Sequence, residues 1–337
     1  MRIDIVSPVS PSSTRGNGVT ARRWAGILEK LGHSVSLSNS FDNAIGPETN
    51  CVIGIHATRC SAIMQAISEQ RPDVALVVCL SGTDLNRDLA KNESDNAWQR
   101  ASRCLTLVDK IVLLEPVGYQ TIRNESLRKT VETKSTVIFQ SALPLVEAVP
   151  KRSDAFEVSV IGHLRPVKDP FRTALAASQL PDSSNIKVVH FGQALSDEMF
   201  EQAITMDKSN ARYCWVGNRS HVEAMRQLVR SQATVLSSVS EGAPSLISEA
   251  VVNSVPILAT RIPATIGLLG SDYPGFYDVY NTDQLASLLL RLETEPKFGE
   301  ELKGRLDRIK DRFAPEQEEA CWRDLLSSLS GERGSKQ

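Results

Sequence analysis

Residues 233–260 read ATVLSSVSEGAPSLISEAVVNSVPILAT. Short apolar runs at residues 233–237 and 255–259 predict two strands, and the segment between them predicts a helix. Runs that are apolar on both faces are typical of parallel strands that helices cover on both sides. The stretch therefore predicts an α/β fold built on a parallel sheet.

The turn inside this stretch carries two carboxylates, Glu241 and Glu249. The spacing places Glu241 on a loop and Glu249 about one turn inside the helix. Gly242, Ala243 and Pro244 leave the first helical amides uncovered, and free N–H groups at the positive end of a helix dipole bind anions. Two carboxylates that accept sugar hydroxyls beside such an anion site predict a socket for a nucleotide sugar. The alternative is an acidic helix N-terminus that only complements the dipole.

The alternation of strands and helices extends over two halves of the chain. Further strand-like runs lie at residues 2–7, near Val35, and at 51–55, 74–80, 110–114, 156–162, 187–192 and 213–216. A polar linker at residues 150–154 separates the halves, and the C-terminal residues are predicted as an amphipathic helix. We therefore predict two Rossmann-like, doubly wound domains facing a cleft, with the C-terminal helix packing back on the first domain. The predicted domains are residues 1–148 and 149–312, followed by a helix and tail at 313–337.

Composition narrows the classes of function. The chain has 337 residues, of which 41% are hydrophobic and 23% charged, and its net charge of −2 gives no basic field for nucleic acid or an anionic membrane. The longest apolar run, residues 74–80, is shorter than the ~20 residues that a membrane span needs. The first residues are predicted as a strand rather than a signal peptide, and the six cysteines form no Cys-x-x-Cys pair, so we expect a cytoplasmic protein. No Asp-x-Asp pair is present to clamp a metal diphosphate, and we expect no metal or cofactor.

Two cations follow the first strand of the second half, in the segment Gly162-His163-Leu164-Arg165-Pro166-Val167-Lys168-Asp169-Pro170. Arg165 and Lys168 leave a strand end and precede a helix, where two cations can grip a diphosphate. A solvated basic turn is the alternative interpretation.

The first half carries basic and hydroxyl side chains where its strands end. Arg15-Gly16-Asn17-Gly18-Val19-Thr20 joins strand one to helix one, and Arg22 and Arg23 oppose the dipole of that helix. His56-Ala57-Thr58-Arg59 and Ser81-Gly82-Thr83-Asp84-Leu85-Asn86-Arg87 follow two further strands. Together, Arg15, Arg23, Arg59 and Arg87 predict that this half binds a small anion. His56 alone is as often a structural histidine.

The second half resembles the retaining glycosyltransferases of family 4, which have the two-domain GT-B fold. The resemblance rests on Glu241-Gly242, on Glu249-Ala250, and on Pro256-Ile257-Leu258-Ala259-Thr260. It implies that Glu241 contacts a donor sugar, that Glu249 binds the ribose hydroxyls, and that the strand end at Gly217 borders the uracil. His163 stands where the family usually has Arg, and Ala243-Pro244 replaces Phe-Gly, so Arg165 takes over the phosphate role in this interpretation.

A narrower resemblance, over most of the chain, is to the selenosugar synthases of selenoneine biosynthesis. It rests on Gly16-Asn17-Gly18-Val19-Thr20-Ala21, His56-Ala57-Thr58-Arg59, Gly82-Thr83-Asp84-Leu85, the 162–170 segment, and Leu268-Leu269-Gly270-Ser271-Asp272-Tyr273-Pro274-Gly275. It implies that a sugar is transferred from a UDP-sugar to selenophosphate, with formation of a carbon–selenium bond. Selenophosphate is an anionic nucleophile, so its pocket needs cations more than a general base.

These resemblances complete the expected site. The candidate catalytic residues are Lys168, Arg165, Glu241 and His56. The expected donor-binding residues are Gly162, His163, Arg165, Lys168, Gly217, Glu241, Gly242, Ala243, Pro244, Ser245 and Glu249. The expected acceptor-binding residues are Arg15, Gly16, Asn17, Gly18, Thr20, Arg23, Arg59, Thr83 and Arg87.

Three alternatives stay open at this point. They are a family 4 enzyme with a sugar, thiol or lipid acceptor, a UDP-sugar 2-epimerase, and a nucleotide-sugar binding module without catalysis. The expected partners are small molecules, the UDP-sugar and selenophosphate, with no nucleic acid and no membrane. The sequence leaves open the oligomeric state, the anomeric configuration of the product, and the choice between UDP-N-acetylglucosamine and UDP-glucose.

Overall fold

The structure is a computed structural model that describes residues 1–10, 16–39 and 46–334. The chain forms two compact units, and we call Met1–Gln140 with Pro315–Gln337 unit 1, and Ser141–Ala314 unit 2. The sequence predicts the limits after residues 148 and 312 instead.

Unit 1 is built on a parallel sheet. Its strands are β1 (Arg2–Val6), β2 (Ser34–Ser38), β3 (Cys51–Ile55), β4 (Ala75–Leu80), β5 (Lys110–Leu113) and β6 (Ser135–Val137). Within the described residues these six strands lie in the order β2-β1-β3-β4-β5-β6. Its first helices are α1 (Gly16–Lys30), α2 (Ala57–Gln70), α3 (Asn96–Leu107) and α4 (Glu125–Lys134). Strands β3 and β4 are buried along their whole length, as runs apolar on both faces require.

Unit 2 repeats this plan. Its strands are β7 (Phe156–Ile161), β8 (Ile186–Phe191), β9 (Tyr213–Gly217), β10 (Ala233–Leu236), β11 (Ile257–Thr260) and β12 (Phe276–Tyr277). They form a parallel sheet in the order β12-β11-β10-β7-β8-β9. Its helices are α5 (Arg172–Ser178), α6 (Asp197–Ser209), α7 (His221–Arg230), α8 (Ser245–Val252), α9 (Pro263–Leu269), α10 (Thr282–Thr294) and α11 (Pro296–Asp307). The α/β prediction with two doubly wound sheets is confirmed.

Each sheet has one place where the order of its strands reverses. In unit 1 the reversal lies between β1 and β3, and in unit 2 it lies between β7 and β10. The loops that leave the carboxyl ends of such a strand pair diverge to opposite faces of the sheet and open a crevice, where doubly wound proteins bind ligands. The topology therefore predicts that ligands bind at the loops after β1 and β3 in unit 1, and at the loops after β7 and β10 in unit 2.

The C-terminal helix α12 (Pro315–Gly334) packs on unit 1, as the sequence predicted. The indole rings of Trp24 in α1 and Trp322 in α12 meet edge to face, with their centroids 4.8 Å apart. The indole Nε1 of Trp24 donates a hydrogen bond of 3.0 Å to the buried carboxylate of Glu318. Because both indoles are fully buried, the last helix supplies part of the core of unit 1.

Some elements differ from those expected. The segment 15–20 is expected to join strand one to helix one, but α1 begins at Gly16, so Gly16, Asn17 and Gly18 form its first turn. Gly32 follows the end of this helix with φ +87°, a left-handed conformation that glycine adopts without steric cost. Strands β6 and β12 were not predicted. In the part of the chain that the structure describes, no helix is both long and apolar enough to span a bilayer.

Candidate functional site

The loop after β7 starts at Gly162, whose carbonyl oxygen lies against the backbone of Gly192 and the ring of His190. A Cβ atom added to Gly192 would lie 1.9 Å from the carbonyl oxygen of Gly162, so only glycine allows this approach. The buried His190 ring contacts the same oxygen through Nε2, at 3.2 Å, and contacts the Tyr213 hydroxyl through Nδ1, at 2.9 Å. A Cβ added to Gly162 itself would meet no atom within 4 Å among the described residues. The backbone at this strand end is therefore fixed but uncovered.

The protonation of this group follows from its partners. The carbonyl oxygen of Gly162 can only accept, so Nε2 of His190 carries the proton and Nδ1 accepts from the Tyr213 hydroxyl. Burial lowers the pKa of His190 to about 4 and raises the pKa of Tyr213. The imidazole is therefore neutral, and the phenol keeps its proton to donate.

The turn that carries Lys168 is tied to the loop after β10. Residues Pro166–Lys168 form a short 3-10 turn, and the Ser237 hydroxyl donates to the carbonyl oxygens of Lys168 and Asp169, at 2.9 Å each. The backbone N–H of Val239 also donates to the Val167 carbonyl, at 2.9 Å. These bonds join the two loops that flank the strand-order reversal of unit 2.

Lys168 and Glu241 form an ion pair at this junction. Their side chains are only 22% and 13% exposed, so water screens the pair less than it screens a surface pair. An ammonium group has three N–H donors, and Glu241 is the only side chain that the Lys168 ammonium hydrogen-bonds among the described residues. Two donors of Lys168 therefore remain for a ligand.

Helix α8 follows at once. Pro244 is its N-cap residue, one position earlier than a first-turn proline, and it supplies no side-chain bond to the amides that follow. The first turn of α8 carries no acidic residue, and the helix begins at Ser245, four residues after Glu241, so no carboxylate in that turn offsets the positive end of the helix dipole. Anion binding at this helix start, by Gly242, Ala243, Pro244 and Ser245, remains a prediction.

Glu249 lies in the second turn of α8, as predicted, and contacts a histidine that the sequence interpretation did not include. Its Oε1 is 2.9 Å from Nε2 of His221, the first residue of α7. The carboxylate is 12% exposed and the imidazole 73% exposed. The hydrogen bond to Glu249 raises the pKa of His221, and partial burial lowers it by less, so the pKa is raised.

The other expected donor residues lie around the same strand ends. His163 accepts a hydrogen bond at Nδ1 from the Gln193 amide, at 3.1 Å, and its pKa is lowered by partial burial and by the positive charges of Arg165 and Lys168. Arg165 is exposed. Gly217 ends β9 with φ +76°. A neutral imidazole at position 163 leaves Arg165 and Lys168 as the cations of this loop.

In unit 1, His56 lies at the strand-order reversal, directly after β3. It has φ 84° and ψ 99°, a region that residues with a side chain rarely adopt. The ring is 3% exposed, and neither ring nitrogen has a hydrogen-bond partner among the described residues. Its Nδ1 is 3.8 Å from Oδ2 of Asp84. Strain of this kind, together with buried polar atoms without partners, is typical of functional sites rather than of packing residues.

Asp84 fixes the loop after β4 beneath His56. Its carboxylate accepts backbone N–H bonds of 2.9–3.0 Å from Ala57, Ser81, Gly82 and Leu85. Burial raises the pKa of this carboxyl, although His56 and the amide donors act in the opposite direction. The carboxylate therefore connects the loops after β3 and β4, and its Oδ2 lies 3.8 Å from the His56 ring.

Three expected acceptor residues lie in the segments that follow β3 and β4. Arg59 is exposed in the first turn of α2, and Thr83 is exposed beside Asp84. Arg87 donates to the buried Asp88 at 2.9 Å, and Asp88 also accepts from the Thr58 hydroxyl at 2.7 Å. The structure thus brings Arg59, Thr83 and Arg87 to the same edge of the sheet as His56.

The expected residues of α1 are placed differently. The Arg23 guanidinium lies 3.4 Å from the buried carboxylate of Glu318 and forms an ion pair with this residue of α12. The Thr20 hydroxyl accepts from the Gln140 side chain at 2.9 Å. Arg15 lies outside the described residues. Roles of Gly16, Asn17, Gly18, Thr20 and Arg23 toward a ligand remain predictions.

Four residues were missing from the expected site: His190, His221, Asp84 and Glu318. Each forms a hydrogen bond with a residue at least 27 positions away in the sequence. The pairs are His190–Gly162, His221–Glu249, Asp84–Ala57 and Glu318–Trp24. Asp84 carried one usable signal, since it follows a buried strand end in a glycine-containing turn. The other three carried no local signal.

The second half of the chain matches a known protein family. Residues 145–307 match the family model for glycosyl transferases group 1. The match includes the β7 strand end, the Lys168 turn, Glu241 and Glu249.

Solved structures with the same fold cover nearly the whole chain. Sucrose-phosphate synthase from Thermosynechococcus elongatus superposes with a TM-score of 0.78 at 14% identity, over 98% of this chain and 99% of that one. The Anabaena protein HepE in complex with UDP-glucose gives 0.72 at 14% identity, over 98% and 100%. The lipopolysaccharide outer core galactosyltransferase WaaB gives 0.69 at 13% identity, over 98% and 100%. Residues 145–307 therefore match the glycosyl transferases group 1 family, and the chain has the GT-B fold.

Proposed function

We propose that unit 2 binds a UDP-sugar. Lys168 and Arg165 would contact the diphosphate, Glu241 the sugar, and Glu249 the ribose, while the amides at the start of α8 face a phosphate. The ion pair between Lys168 and Glu241 is the observation that carries this proposal, because it sets a cation with two spare donors beside an uncapped helix start. The HepE structures with UDP and with UDP-glucose support the choice of nucleotide.

The donor site has a direct chemical role. When the bond between the anomeric carbon and the phosphate oxygen breaks, negative charge grows on the departing UDP. Preorganised donors stabilise that charge most in the transition state, which is where binding contributes to rate. Lys168 and the α8 amides are such donors. Glu241 limits the mobility of the Lys168 ammonium before the donor arrives.

For the acceptor we propose selenophosphate, bound by unit 1 near His56. Its selenium lone pair attacks the anomeric carbon, the carbon–selenium bond forms, and UDP leaves with the electron pair of the broken bond. Water then attacks phosphorus, the selenium–phosphorus bond breaks with release of phosphate, and the selenolate takes a proton from that water to give the selenol. The sequence resemblance supports an anionic acceptor. So do Arg59 and Arg87, which lie at the same edge of the sheet as His56, whose imidazole has no hydrogen-bond partner among the described residues.

The test measures UDP release under anaerobic conditions. UDP-N-acetylglucosamine and UDP-glucose are each offered with selenophosphate, with thiophosphate, or with neither, and the products are analysed by mass spectrometry. We expect UDP release that depends on selenophosphate, together with a product that contains sugar and selenium. Equal UDP release with and without selenophosphate would reject this acceptor.

The remaining outcomes separate the alternatives. A new UDP-sugar formed with no acceptor present would indicate a 2-epimerase. Binding of UDP without turnover of either donor would indicate a binding module. Turnover only after a sugar, thiol or lipid is added would keep the donor proposal and replace the acceptor.

A further inference from the structure

His221 occupies a fixed position next to the carboxylate that is proposed to bind ribose. Helix α7 begins at His221, and the preceding residue, Ser220, forms a reciprocal capping box with Glu223. The Ser220 hydroxyl accepts from the Glu223 amide at 3.3 Å, and the Glu223 carboxylate accepts from the Ser220 amide at 2.9 Å. A capped first turn resists fraying, so the backbone of His221 is held in place.

The hydrogen bond between His221 and Glu249 has one possible direction. An ionised carboxylate only accepts, so Nε2 of His221 carries the proton whether the ring is neutral or charged. The bond occupies Oε1 of Glu249 and fixes the carboxyl group relative to α7. Oε2 keeps its lone pairs for a ligand, and no other side chain forms a hydrogen bond or ion pair with this carboxyl group in the part of the chain that is described.

We propose that His221 is a positioning residue that holds Glu249 in the rotamer in which its second carboxylate oxygen accepts the ribose hydroxyls of the nucleotide. This inference rests on the proposed binding of a UDP-sugar. A glutamate has three side-chain torsions, and freezing them on binding weakens affinity. His221 freezes them before the nucleotide arrives.

The first experiment compares nucleotide binding by calorimetry, with UDP as the probe, for the wild type, His221→Ala, His221→Gln and Val222→Ala. The His221 side chain is largely exposed, so its replacement leaves the fold intact. We expect His221→Ala to weaken UDP about five- to tenfold, the effect of losing one modest hydrogen bond. Because its amide can donate to Glu249, His221→Gln should recover most of this loss. Val222, exposed on the same turn, is the matched control and should bind like the wild type.

A second measurement asks whether His221 acts through the ribose. With 2′,3′-dideoxy-UDP, which lacks both hydroxyls, wild type and His221→Ala should bind equally, because Glu249 has nothing to accept. In steady-state assays the same variant should raise KM for the UDP-sugar and leave kcat unchanged. A general weakening of the fold would lower both and would not be rescued by Gln.

The outcomes separate this inference from the proposed function. If the folded wild type does not bind UDP, the proposed donor and this inference fall together. If the wild type binds UDP and His221→Ala binds it equally well, only the role of His221 is rejected. A His221→Ala penalty of the same size for UDP and for the dideoxy analogue would also reject it, since the histidine would then act on another part of the nucleotide.

Discussion

Lys168 and Glu241 lie in the loops that follow the neighbouring strands β7 and β10, and they form an ion pair that joins these loops. Replacing Lys168 with Ala should lower kcat/KM for the UDP-sugar about 100-fold or more, because a preorganised donor to the leaving phosphate is lost. The measurement is the steady-state rate of UDP release.

The matched control for this prediction is Lys187→Ala. Lys187 lies in unit 2 and donates to the Ala211 carbonyl at 3.1 Å, and we assign it no role in the reaction. Its replacement should leave the rate within a factor of about two, since surface substitutions change stability little. If both lysine variants lose the same activity, the role given to Lys168 is wrong.

His190 gives unit 2 a dependence on acid. Its pKa is about 4 in the folded protein against 6.5 in the unfolded chain, so below pH 6.5 the unfolded state binds more protons and stability falls as the pH drops toward 4. Between pH 7 and pH 5 this histidine alone should cost about 2 kcal/mol of unfolding free energy. Unfolding of the wild type and of His190→Gln, followed across that range, measures the difference. Parallel pH curves for the two proteins would contradict the assignment.

Single residues also show what the sequence could and could not predict. Glu241, Glu249 and Lys168 were predictable because each lies in a local pattern of strand end, turn and helix start. The bond between His221 and Glu249 joins residues 28 positions apart, and that between His190 and Gly162 also spans 28. Such pairs depend on which strands become neighbours, and no periodicity within a segment encodes that order.

Helix α12 contributes to the core of unit 1 through Trp322. Replacing this indole with Ala should destabilise unit 1 by about 3–5 kcal/mol. The substitution removes a large buried ring, abolishes its contact with Trp24 and leaves a cavity beside Trp24. Two units need not unfold together, so the measurement is amide hydrogen exchange resolved by peptide. Peptides of unit 1 should exchange faster and those of unit 2 at the original rate.

The control for this element is Arg323→Ala, an exposed position one residue further along α12. It should leave the exchange of both units unchanged. Uniform acceleration across both units in Trp322→Ala would show that the effect is not local to unit 1.

The elements that were missed share a physical cause. Strands β6 and β12 have three and two residues and lie at the edges of their sheets, so they are too short to show periodicity. The start of α1 was mistaken for a loop because Gly16-Asn17-Gly18 has low helix propensity. Packing of Trp24, Ala25 and Leu28 further along the helix stabilises it and overrides that local preference.

Hydrogen exchange of the whole chain tests where the nucleotide binds. Adding UDP at 100 times its Kd should stabilise the state that binds it by about 2.7 kcal/mol. We expect slower exchange in peptides that cover residues 162–168 and 241–249, both in unit 2, with no direct protection around His56. Protection centred on His56 instead would assign the nucleotide to the other unit.

Unit 1 is discontinuous in sequence, because the chain leaves it after Gln140 and returns only at Pro315. A ribosome therefore synthesises every residue of the inserted unit 2 before it makes Trp322, the tryptophan that completes the core of unit 1. A chain that ends before Trp322 would leave the indole of Trp24 without this partner. Premature termination near residue 314 should consequently yield a product that chaperones retain, although most of its length is folded.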